Sequence, residues 1–542
     1  MKQDPKRNQP ETGKQLRSDQ TDEIIDLEET DLDDPDETQE TGRKTSRTSG
    51  RSGKKTAGIS GKLKESFSGK KKRKKHARNR EFAIITYVFT GLFLLLMGYF
   101  IYFQVFRSED VINNAYNPRL DLYEDLVVRG DIESADGETL ATTTVSEDGT
   151  ETRVYPYGSM FAHVVGYTGN GNYGIEQDAN FEMLRSHSFF LKQILNDLRD
   201  EKNQGDTVVT TLDCDVQEAA YNALGDYDGA VVVLEVSTGK VIAMVSKPDF
   251  DPNTIESEWD SITSDEDSSV LLNRATQGLY PPGSTFKIVT ALEYLRENGT
   301  DSDISFDCSG SIEVDGSTIH CYGSTAHGSE DLASAFANSC NSAFATIGLD
   351  LNLKKYSSLC EDLLFNQTLP TSFTTETSSF TLTEDSGTGL IMQTAIGQGE
   401  TLVTPIHMAM IAAAICNDGV LMEPYVIDHI ENDGGVTVDE YSSTKYGSLM
   451  TEEEAEALQT LMEGVVSGGT ASALSGQSYS AAGKTGSAEY SSSSDSHAWF
   501  VGYGSKDGYE DIAIAVVVED GGSGSSTAVP IAKQVFDVYF NQ

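Results

Sequence analysis

Residues 280–287 read YPPGSTFK, and this stretch indicates how the chain around it folds. Two prolines and a glycine predict a turn, and the apolar positions at residues 286–295 predict a buried helix that begins directly after the turn. Ser284 and Lys287 are then three residues apart on one face of that helix. A serine with a lysine one helical turn away indicates a nucleophile with an adjacent base.

Two further motifs follow in order along the chain. Ser339 and Asn341 form S-x-N, and Lys484 begins K-T-G; each of these two patterns occurs once. S-x-x-K alone is unspecific, since Ser52 and Ser442, among others, also begin a match. The segments between the motifs are long enough to fold back and bring all three into one cleft. The ordered triple therefore indicates a single active site.

The pattern of predicted strands and helices indicates an α/β sandwich from residue 206 onward. Two β-rich runs, residues 229–236 and 240–246, are separated by a short polar turn and predict a hairpin. Further strands are predicted at residues 481–488, 498–503 and 512–519, and helices at residues 287–295, 332–348 and 404–415. Strands from both ends of a domain with helices between them predict one sheet covered by helices.

Together these features resemble the class B penicillin-binding proteins, the membrane-anchored peptidoglycan D,D-transpeptidases, and within them the short-pedestal penicillin-binding protein A-like group. The resemblance covers roughly residues 107–542. It also rests on Arg129-Gly130-Asp131-Ile132, residues 155–167, Gly397-Gln398-Gly399 and Trp499-Phe500-Val501-Gly502. It implies the penicillin-binding/serine transpeptidase fold, in which helices sandwich a central antiparallel sheet. A small β-rich pedestal domain and one N-terminal transmembrane helix complete the expected architecture.

Five residues of the three motifs are expected to be catalytic. An alcohol is a weak nucleophile at neutral pH, so Ser284 needs Lys287 as a base, and burial beside the charge of Lys484 would keep Lys287 neutral. The resemblance implies that Ser339 passes a proton to the leaving amine and that Asn341 orients Lys287 and the substrate amide. The identity of the first proton acceptor is disputed for such sites.

The resemblance further implies a substrate-binding strand at residues 484–487. The peptide would lie against this edge strand, with Gly486 between Thr485 and Ser487, whose hydroxyls would bind the terminal carboxylate. The backbone N–H groups of Ser284 and Ser487 would form an oxyanion hole. This chemistry requires neither a cofactor nor a metal.

Charge and hydropathy predict a membrane topology. The net charge of −45 is unevenly spread, because residues 1–80 are net basic and the rest is strongly acidic, which argues against nucleic-acid binding. Residues 82–106 contain no charge and are long enough to cross a bilayer of about 30 Å as a helix. The basic run KKKRKKHARNR at residues 70–80 precedes them and predicts a cytoplasmic N-terminus. No small-residue cleavage site follows, so we expect an uncleaved single-pass anchor in the cell membrane.

This topology predicts four regions. Residues 1–80 are expected to form a disordered cytoplasmic tail, because they have too few apolar residues to build a core. Residues 82–106 form the transmembrane helix, residues 107–205 the extracytoplasmic pedestal, and residues 206–542 the transpeptidase domain. Stem peptides of peptidoglycan and β-lactams are the expected ligands. A membrane-embedded glycosyltransferase of the shape or division type is expected as a partner from the family alone.

The expected reaction is cross-linking of stem peptides through a Ser284 acyl-enzyme, which β-lactams would trap. A D,D-carboxypeptidase would use the same motifs with water as acceptor, but the pedestal and the anchor favour a transpeptidase. A β-lactamase would need a deacylating base such as the glutamate of E-x-x-L-N, and that string does not occur between Asn341 and Lys484. A β-lactam sensor acylated without turnover would carry several membrane spans.

The chain has six cysteines. Cys308 and Cys321 lie on either side of residues 315–316, an Asp-Gly pair that predicts a two-residue hairpin turn and would make these cysteines diagonal neighbours. They could form a disulfide, bind zinc with His327 and an unidentified fourth ligand, or stay reduced. Cys340 is expected to point away from the cleft and to fill core space.

Overall fold

The first helix is the apolar one predicted to span a membrane. The computed structural model describes residues 73–107, 124, 126–199, 201–266, 268–489 and 495–542. Helix α1 extends over Arg73–Phe106, and its segment Phe82–Gln104, with a mean hydropathy of 2.1, is long and apolar enough to cross a membrane. Residues 73–80, predicted to belong to the disordered tail, form the first turns of α1 instead. The rest of that tail lies outside the described residues.

Short strands and short helices make up residues 127–204. The strands are β1 Val127–Val128, β2 Ile132–Glu133, β3 Thr139–Val145, β4 Glu151–Val154 and β5 Asn203–Gln204, and the helices are α2 Ala162–Val165, α3 Ile175–Asp178, α4 Asn180–Met183 and α5 Phe190–Arg199. Residues 155–167, which belong to the region expected to be β-rich, contain a 3₁₀ turn and α2. Phe161 and Val165 of that segment are buried. Burial of these apolar side chains stabilises the helical turns relative to an exposed segment.

A six-stranded sheet crosses the predicted boundary at residue 206. Besides β2, β3 and β4 it contains β6 Thr207–Thr210, β14 Ile427–Glu431 and β15 Thr437–Glu440. Its order is β15-β14-β6-β2-β3-β4, and Ile132 of β2 pairs in parallel with Val208 of β6. Strands distant in sequence thus join residues 132–154 to the rest of the chain.

A second, five-stranded sheet forms the centre of the larger domain. Its strands are β7 Gly229–Glu235, β8 Val241–Lys247, β17 Ser480–Ala488, β18 His497–Ser505 and β19 Ile512–Val518. The order is β17-β18-β19-β7-β8, all antiparallel, so both ends of the domain meet in one sheet as predicted. Helices α6 (Cys214–Leu224) and α15 (Ala528–Tyr539) pack together on the sheet, and α13 (Pro405–Cys416) packs on its middle strands. The predicted α/β sandwich is confirmed.

The remaining elements surround this sheet. The helices are α7 Ile255–Ser264, α8 Lys287–Asn298, α9 Leu332–Ala337, α10 Asn341–Asp350, α11 Leu353–Asp362, α12 Thr388–Ala395 and α14 Glu452–Ser467. The strands are β9 Phe306–Cys308, β10 Ser311–Val314, β11 Ser317–His320, β12 Gly328–Glu330, β13 Val420–Met422 and β16 Lys445–Ser448. Asp213 caps α6, because its side chain accepts the N–H of Val216 at 2.9 Å.

The helical run predicted at residues 332–348 is interrupted between α9 and α10. Ser339 has φ of +56°, in the left-handed region, and Cys340 caps α10 by accepting the N–H of Ala343 at 3.5 Å. The apolar period continues on both sides of the break because both helices face the core, so periodicity alone does not reveal it. The interruption places Ser339 and Asn341 at the start of a helix rather than within one.

The hairpin turn predicted at residues 315–316 is confirmed, but the placement of the two cysteines across it is wrong. The paired residues of the hairpin end at Ser311 and His320, so Cys308 lies outside it. Cys308 pairs instead with Gly328 of β12. The turn after the hairpin nevertheless brings Cys321 back, and the two sulfur atoms lie 3.6 Å apart without a bond between them.

A buried carboxylate joins the chain segments around β4 and α3. Arg129 Nε and Arg153 Nε each donate to a carboxylate oxygen of Glu176 at 2.7 Å, and the hydroxyl of Tyr155 donates to it at 3.1 Å. Burial by itself would raise the pKa of Glu176, but the two guanidinium groups outweigh this effect and hold the pKa below its usual value. The folded structure therefore contains Glu176 as a paired anion.

Replacing Glu176 by glutamine should destabilise the fold, because two arginines lose their buried counter-charge. Breaking a buried ion pair from one side typically costs about 3–5 kcal/mol. We expect Glu176→Gln to lower the midpoint of thermal unfolding of the full-length chain in detergent, measured by scanning fluorimetry. Glu201→Gln, which removes an exposed pair with Arg199 at 3.7 Å, should leave the midpoint unchanged. Equal midpoints for both variants would contradict the expectation.

Candidate active site

Ser284 lies in a turn that is held from two sides. Tyr280 and Val403 exchange two backbone hydrogen bonds, of 3.0 and 2.8 Å, and the N–H of Gly283 donates to the carbonyl of Gly397 at 2.8 Å. Gly283, at φ of +53°, opens a 3₁₀ turn that continues directly into α8. The turn thus presents a partly exposed serine at the beginning of a buried helix.

Lys287 follows one turn along α8 and is completely buried. Its Nζ donates to the carbonyl of Ser339 and to Asn341 Oδ1, both at 2.7 Å, and lies 3.1 Å from Ser339 Oγ. Within the described part of the chain, Lys287 makes no hydrogen bond to Ser284 Oγ; such contacts often tighten only when a substrate is bound. The lysine therefore links the S-x-x-K motif to the S-x-N motif.

Lys484 reaches the same hydroxyl from strand β17. It is also completely buried, and its Nζ donates to Ser339 Oγ at 2.9 Å and to the carbonyl of Thr485 at 3.0 Å. Ser339 Oγ thus lies within hydrogen-bond distance of both lysine amines. The three motifs, which are far apart in sequence, meet at this single oxygen atom.

Burial disfavours the charged form of both amines. It lowers the pKa of Lys287 to about 7, against the opposing influence of the thiols of Cys340 and Cys321. For Lys484, burial and then the charge of Lys287 lower the pKa well below its usual value. Two ammonium groups on one hydroxyl would also repel each other, so each lysine disfavours the charged form of the other.

The break between α9 and α10 orients the S-x-N motif. The left-handed backbone at Ser339 is unfavourable for most residues, and the bond from Lys287 to its carbonyl helps to stabilise it. Asn341 accepts from Lys287 and donates through Nδ2 to the carbonyl of His320 at 2.9 Å. Its amide is therefore held between α8 and the β10–β11 hairpin.

Strand β17 is an edge strand, with β18 as its neighbour, and it carries the K-T-G motif. Gly486 lies against the turn that holds Ser284: a Cβ added there would be 3.0 Å from the carbonyl oxygen of Pro282. The hydroxyls of Thr485 and Thr470 lie 2.6 Å apart. Glycine in this position lets the turn approach the strand closely, and among the described residues β17 has a strand neighbour on one side only.

Six of the eight predicted site residues line one cleft, while Lys287 and Lys484 are buried behind its wall. The six are Ser284, Ser339, Asn341, Thr485, Gly486 and Ser487. Thr470 also lines the cleft and was missed, because it lies in a loop after α14 and belongs to none of the three motifs. Hydroxyl, amine and amide groups in this arrangement are suited to covalent acyl transfer.

Comparison with known families agrees with this geometry. The family model described as the penicillin binding protein transpeptidase domain matches residues 229–537. The model described as the penicillin binding protein A dimerisation domain matches residues 129–208. The chain therefore belongs to the penicillin-binding protein transpeptidase family.

Named relatives and solved structures agree with this assignment. The peptidoglycan D,D-transpeptidase PbpA of Mycobacterium tuberculosis H37Rv is 30% identical to this chain, over 80% of this chain and 93% of the relative. PbpA of Mycolicibacterium smegmatis is 29% identical, over 82% of this chain and 95% of the relative. The penicillin G acyl-enzyme of penicillin-binding protein A from M. tuberculosis superposes with a TM-score of 0.69 at 26% identity, covering 76% of this chain and 99% of that one. A D,D-transpeptidase domain from Eggerthella lenta gives a TM-score of 0.68 at 31% identity, covering 76% and 98%. The predicted resemblance to class B penicillin-binding proteins of the penicillin-binding protein A-like group is confirmed.

Gly397 offers a test of how the Ser284 turn is held. A Cβ at Gly397, whose φ is +76°, would lie 1.9 Å from the carbonyl oxygen of Gly283, so Gly397→Ala must displace the turn. A displacement of about 1 Å typically costs on the order of 100-fold in rate. We expect this loss in the rate of acylation by a fluorescent penicillin. Gly387→Ala, at a position open to solvent, should acylate at the wild-type rate; equal rates for both variants would show that the contact is unimportant.

Proposed function

We propose that the chain is a peptidoglycan D,D-transpeptidase that forms an acyl-enzyme at Ser284. The hydrogen-bonded series Lys287–Ser339–Lys484 at a cleft containing Ser284 carries this proposal. A relative of the same fold has been solved as a penicillin G acyl-enzyme, which supports covalent chemistry at this cleft. A β-lactam mimics the bond between the two terminal D-alanines of a stem peptide, so the same serine would open both.

In the first half-reaction, Ser284 Oγ attacks the carbonyl carbon of the penultimate D-alanine and its proton passes to neutral Lys287. The backbone N–H groups of Ser284 and Ser487 hold the negative charge on the carbonyl oxygen. The C–N bond then breaks, and the proton passes from Lys287 through the Ser339 hydroxyl to the leaving amine. Lys484 supports that hydroxyl through its 2.9 Å hydrogen bond. The products are an ester at Ser284 and free D-alanine.

In the second half-reaction, an amine of a neighbouring stem peptide attacks the ester. Lys287 takes a proton from the amine, a new amide bond forms, and Ser284 regains its proton. Because one amide is broken and one is formed, the cross-link needs no external energy source. Water in place of the amine would give a carboxypeptidase product.

The edge of β17 is the proposed binding site of the donor peptide. The peptide would extend the sheet by pairing with this strand. The hydroxyls of Thr485 and Ser487 would bind its terminal carboxylate, and Gly486 leaves room for the backbone. The 2.6 Å contact between Thr485 and Thr470 supports an oriented hydroxyl at this place.

The apolar helix fits a membrane anchor, and we extend this to a full topology. Residues 1–80 would be cytoplasmic because the basic run at residues 70–80 precedes the anchor at residues 82–106. The pedestal at residues 107–205 and the transpeptidase domain at residues 206–542 would then lie outside the cytoplasm. A membrane-embedded glycosyltransferase of the shape or division type is the proposed partner, and the family resemblance alone supports it.

Replacing Ser284 by alanine should abolish labelling, because no other nucleophile occupies its position. The full-length protein is incubated with a fluorescent penicillin, denatured and separated by electrophoresis. Ser442→Ala alters a second S-x-x-K match, which lies in an exposed segment, and should leave labelling intact. Labelled Ser284→Ala protein, or unlabelled wild type, would refute the central proposal.

Acylation should accelerate as the pH rises through about 7, the pKa of Lys287. The pKa is lowered, so raising the pH removes the proton and produces the amine that accepts the proton of Ser284. The groups facing this amine are Ser339, Asn341 and the amine of Lys484, with the thiols of Cys340 and Cys321 nearby.

The measurement is the second-order rate constant of penicillin acylation between about pH 5.5 and pH 9. Lys287→Arg, which stays protonated, should lose about 100- to 10,000-fold at every pH. The thermal midpoint at each pH serves as the control for folding. A wild-type rate that is flat or that falls with pH would exclude neutral Lys287 as the base.

A further inference from the structure

Three buried thiols and one imidazole nitrogen lie together beside the S-x-N motif. The Sγ atom of Cys321 lies 3.6 Å from that of Cys308 and 3.8 Å from that of Cys340, and Cys308 Sγ lies 3.4 Å from Nδ1 of His327. All four atoms lie within 4.8 Å of one another. The reaction described above uses none of these groups.

These separations match the edges of a tetrahedral metal site. Zinc binds cysteine sulfur at about 2.3 Å and histidine nitrogen at about 2.0–2.1 Å, which gives S–S edges of about 3.8 Å and S–N edges of about 3.5 Å. The contacts of 3.6, 3.8 and 3.4 Å are close to these values. The remaining separations are at most 4.8 Å, so metal binding would draw those atoms about 1 Å closer together.

We propose that Cys308, Cys321, His327 and Cys340 bind one structural zinc ion. Three thiolates and one imidazole fill all four positions, and a closed set of this composition is typical of structural zinc. Sulfur ligands disfavour magnesium and calcium, which take oxygen. Each thiol loses its proton on binding, so the site forms more readily as the pH rises.

The four ligands come from four separate places in the chain. Cys308 ends β9, Cys321 directly follows β11, His327 precedes β12, and Cys340 lies in the break before α10. Antiparallel pairing of Cys308 with Gly328 brings His327 beside Cys308. A metal here would cross-link the hairpin and its flanking strands to the S-x-N motif.

Hydrogen-bond donors already face two of the sulfur atoms. The hydroxyl of Ser342 lies 3.3 Å from Cys321 Sγ, and the N–H of Ala343 points to Cys340 Sγ at 3.5 Å. Donors of this kind stabilise thiolates and orient them toward a metal.

The site would act on catalysis through position. Cys340 lies between Ser339 and Asn341, and the amide of Asn341 is bonded to the carbonyl of His320, next to Cys321. A zinc ion would therefore fix both residues of the motif relative to the hairpin. The four ligands are positioning residues, because none of them touches the reacting atoms in the proposed mechanism.

The first test is the metal content of the full-length protein, purified in detergent without chelators from cells grown with zinc. We expect about one zinc per chain by mass spectrometry of the metal. Cys308→Ser and His327→Ala should each lose most of it, while Cys416→Ser, which removes a cysteine remote from the cluster, should retain it. Wild type without zinc, or zinc retained by both ligand variants, would overturn the proposal.

Thiol counting distinguishes the remaining alternatives without relying on the variants to fold. When the wild-type protein is denatured with a chelator but without reductant, all six cysteines should react with an alkylating reagent. A Cys308–Cys321 disulfide would protect two of them, and this result would overturn the proposal. Protein refolded or exchanged with Co²⁺ should show sulfur-to-cobalt charge-transfer absorption together with the visible bands of a tetrahedral ion.

The effect on the active site is measured on the same preparations. Removal of zinc by a chelator should slow penicillin acylation by about 10- to 100-fold and lower the thermal midpoint, and added zinc should restore both. Zinc content is independent of the reaction, so a failed labelling experiment would leave this proposal intact. An acylation rate and a midpoint that are both unchanged after complete removal of zinc would overturn the positioning role.

Discussion

Two completely buried lysines share one serine hydroxyl, and the active site depends on this arrangement. A buried ammonium ion costs several kcal/mol in lost hydration, and two of them beside Ser339 Oγ would also repel each other. Burial therefore lowers the pKa of both amines, and the proposed mechanism uses Lys287 in its neutral form as the base. The lowered pKa of these amines comes from burial in the packed interior and not from lysine itself.

The elements around this pair serve to hold the three motifs against one another. The 3₁₀ turn at Gly283–Phe286 carries Ser284 and leads into α8, which begins with Lys287. The break before α10 carries Ser339 and Asn341, and the edge strand β17 carries Lys484. The turn before Ser284 packs closely on β17 because glycine stands at the contact. Each motif alone is a common sequence pattern, and their convergence on one hydroxyl makes the site specific.

Two clusters other than the motif residues lie in the packed structure around the cleft. Glu176 is held as an anion between two arginines in the region of the pedestal, where loss of the carboxylate would leave unpaired charge. The cluster of three cysteines and His327 lies beside the S-x-N motif, and Cys321 and His327 also line the cleft. Both clusters are assembled from separate elements, so both depend on how those elements pack.

The sequence by itself was enough to predict the apolar helix, the hairpin of β7 and β8, and the sheet built from both ends of the domain. It also identified the motif residues. These features could be predicted because periodicity, turn residues and motif spacing are local or ordered along the chain. It did not reveal the break at Ser339, because both flanking helices bury apolar faces and the period continues across it. Thr470 and the role of Cys340 as a fourth neighbour of the cysteine cluster were also missed. These features depend on which segments touch after folding, and only the tertiary structure decides that.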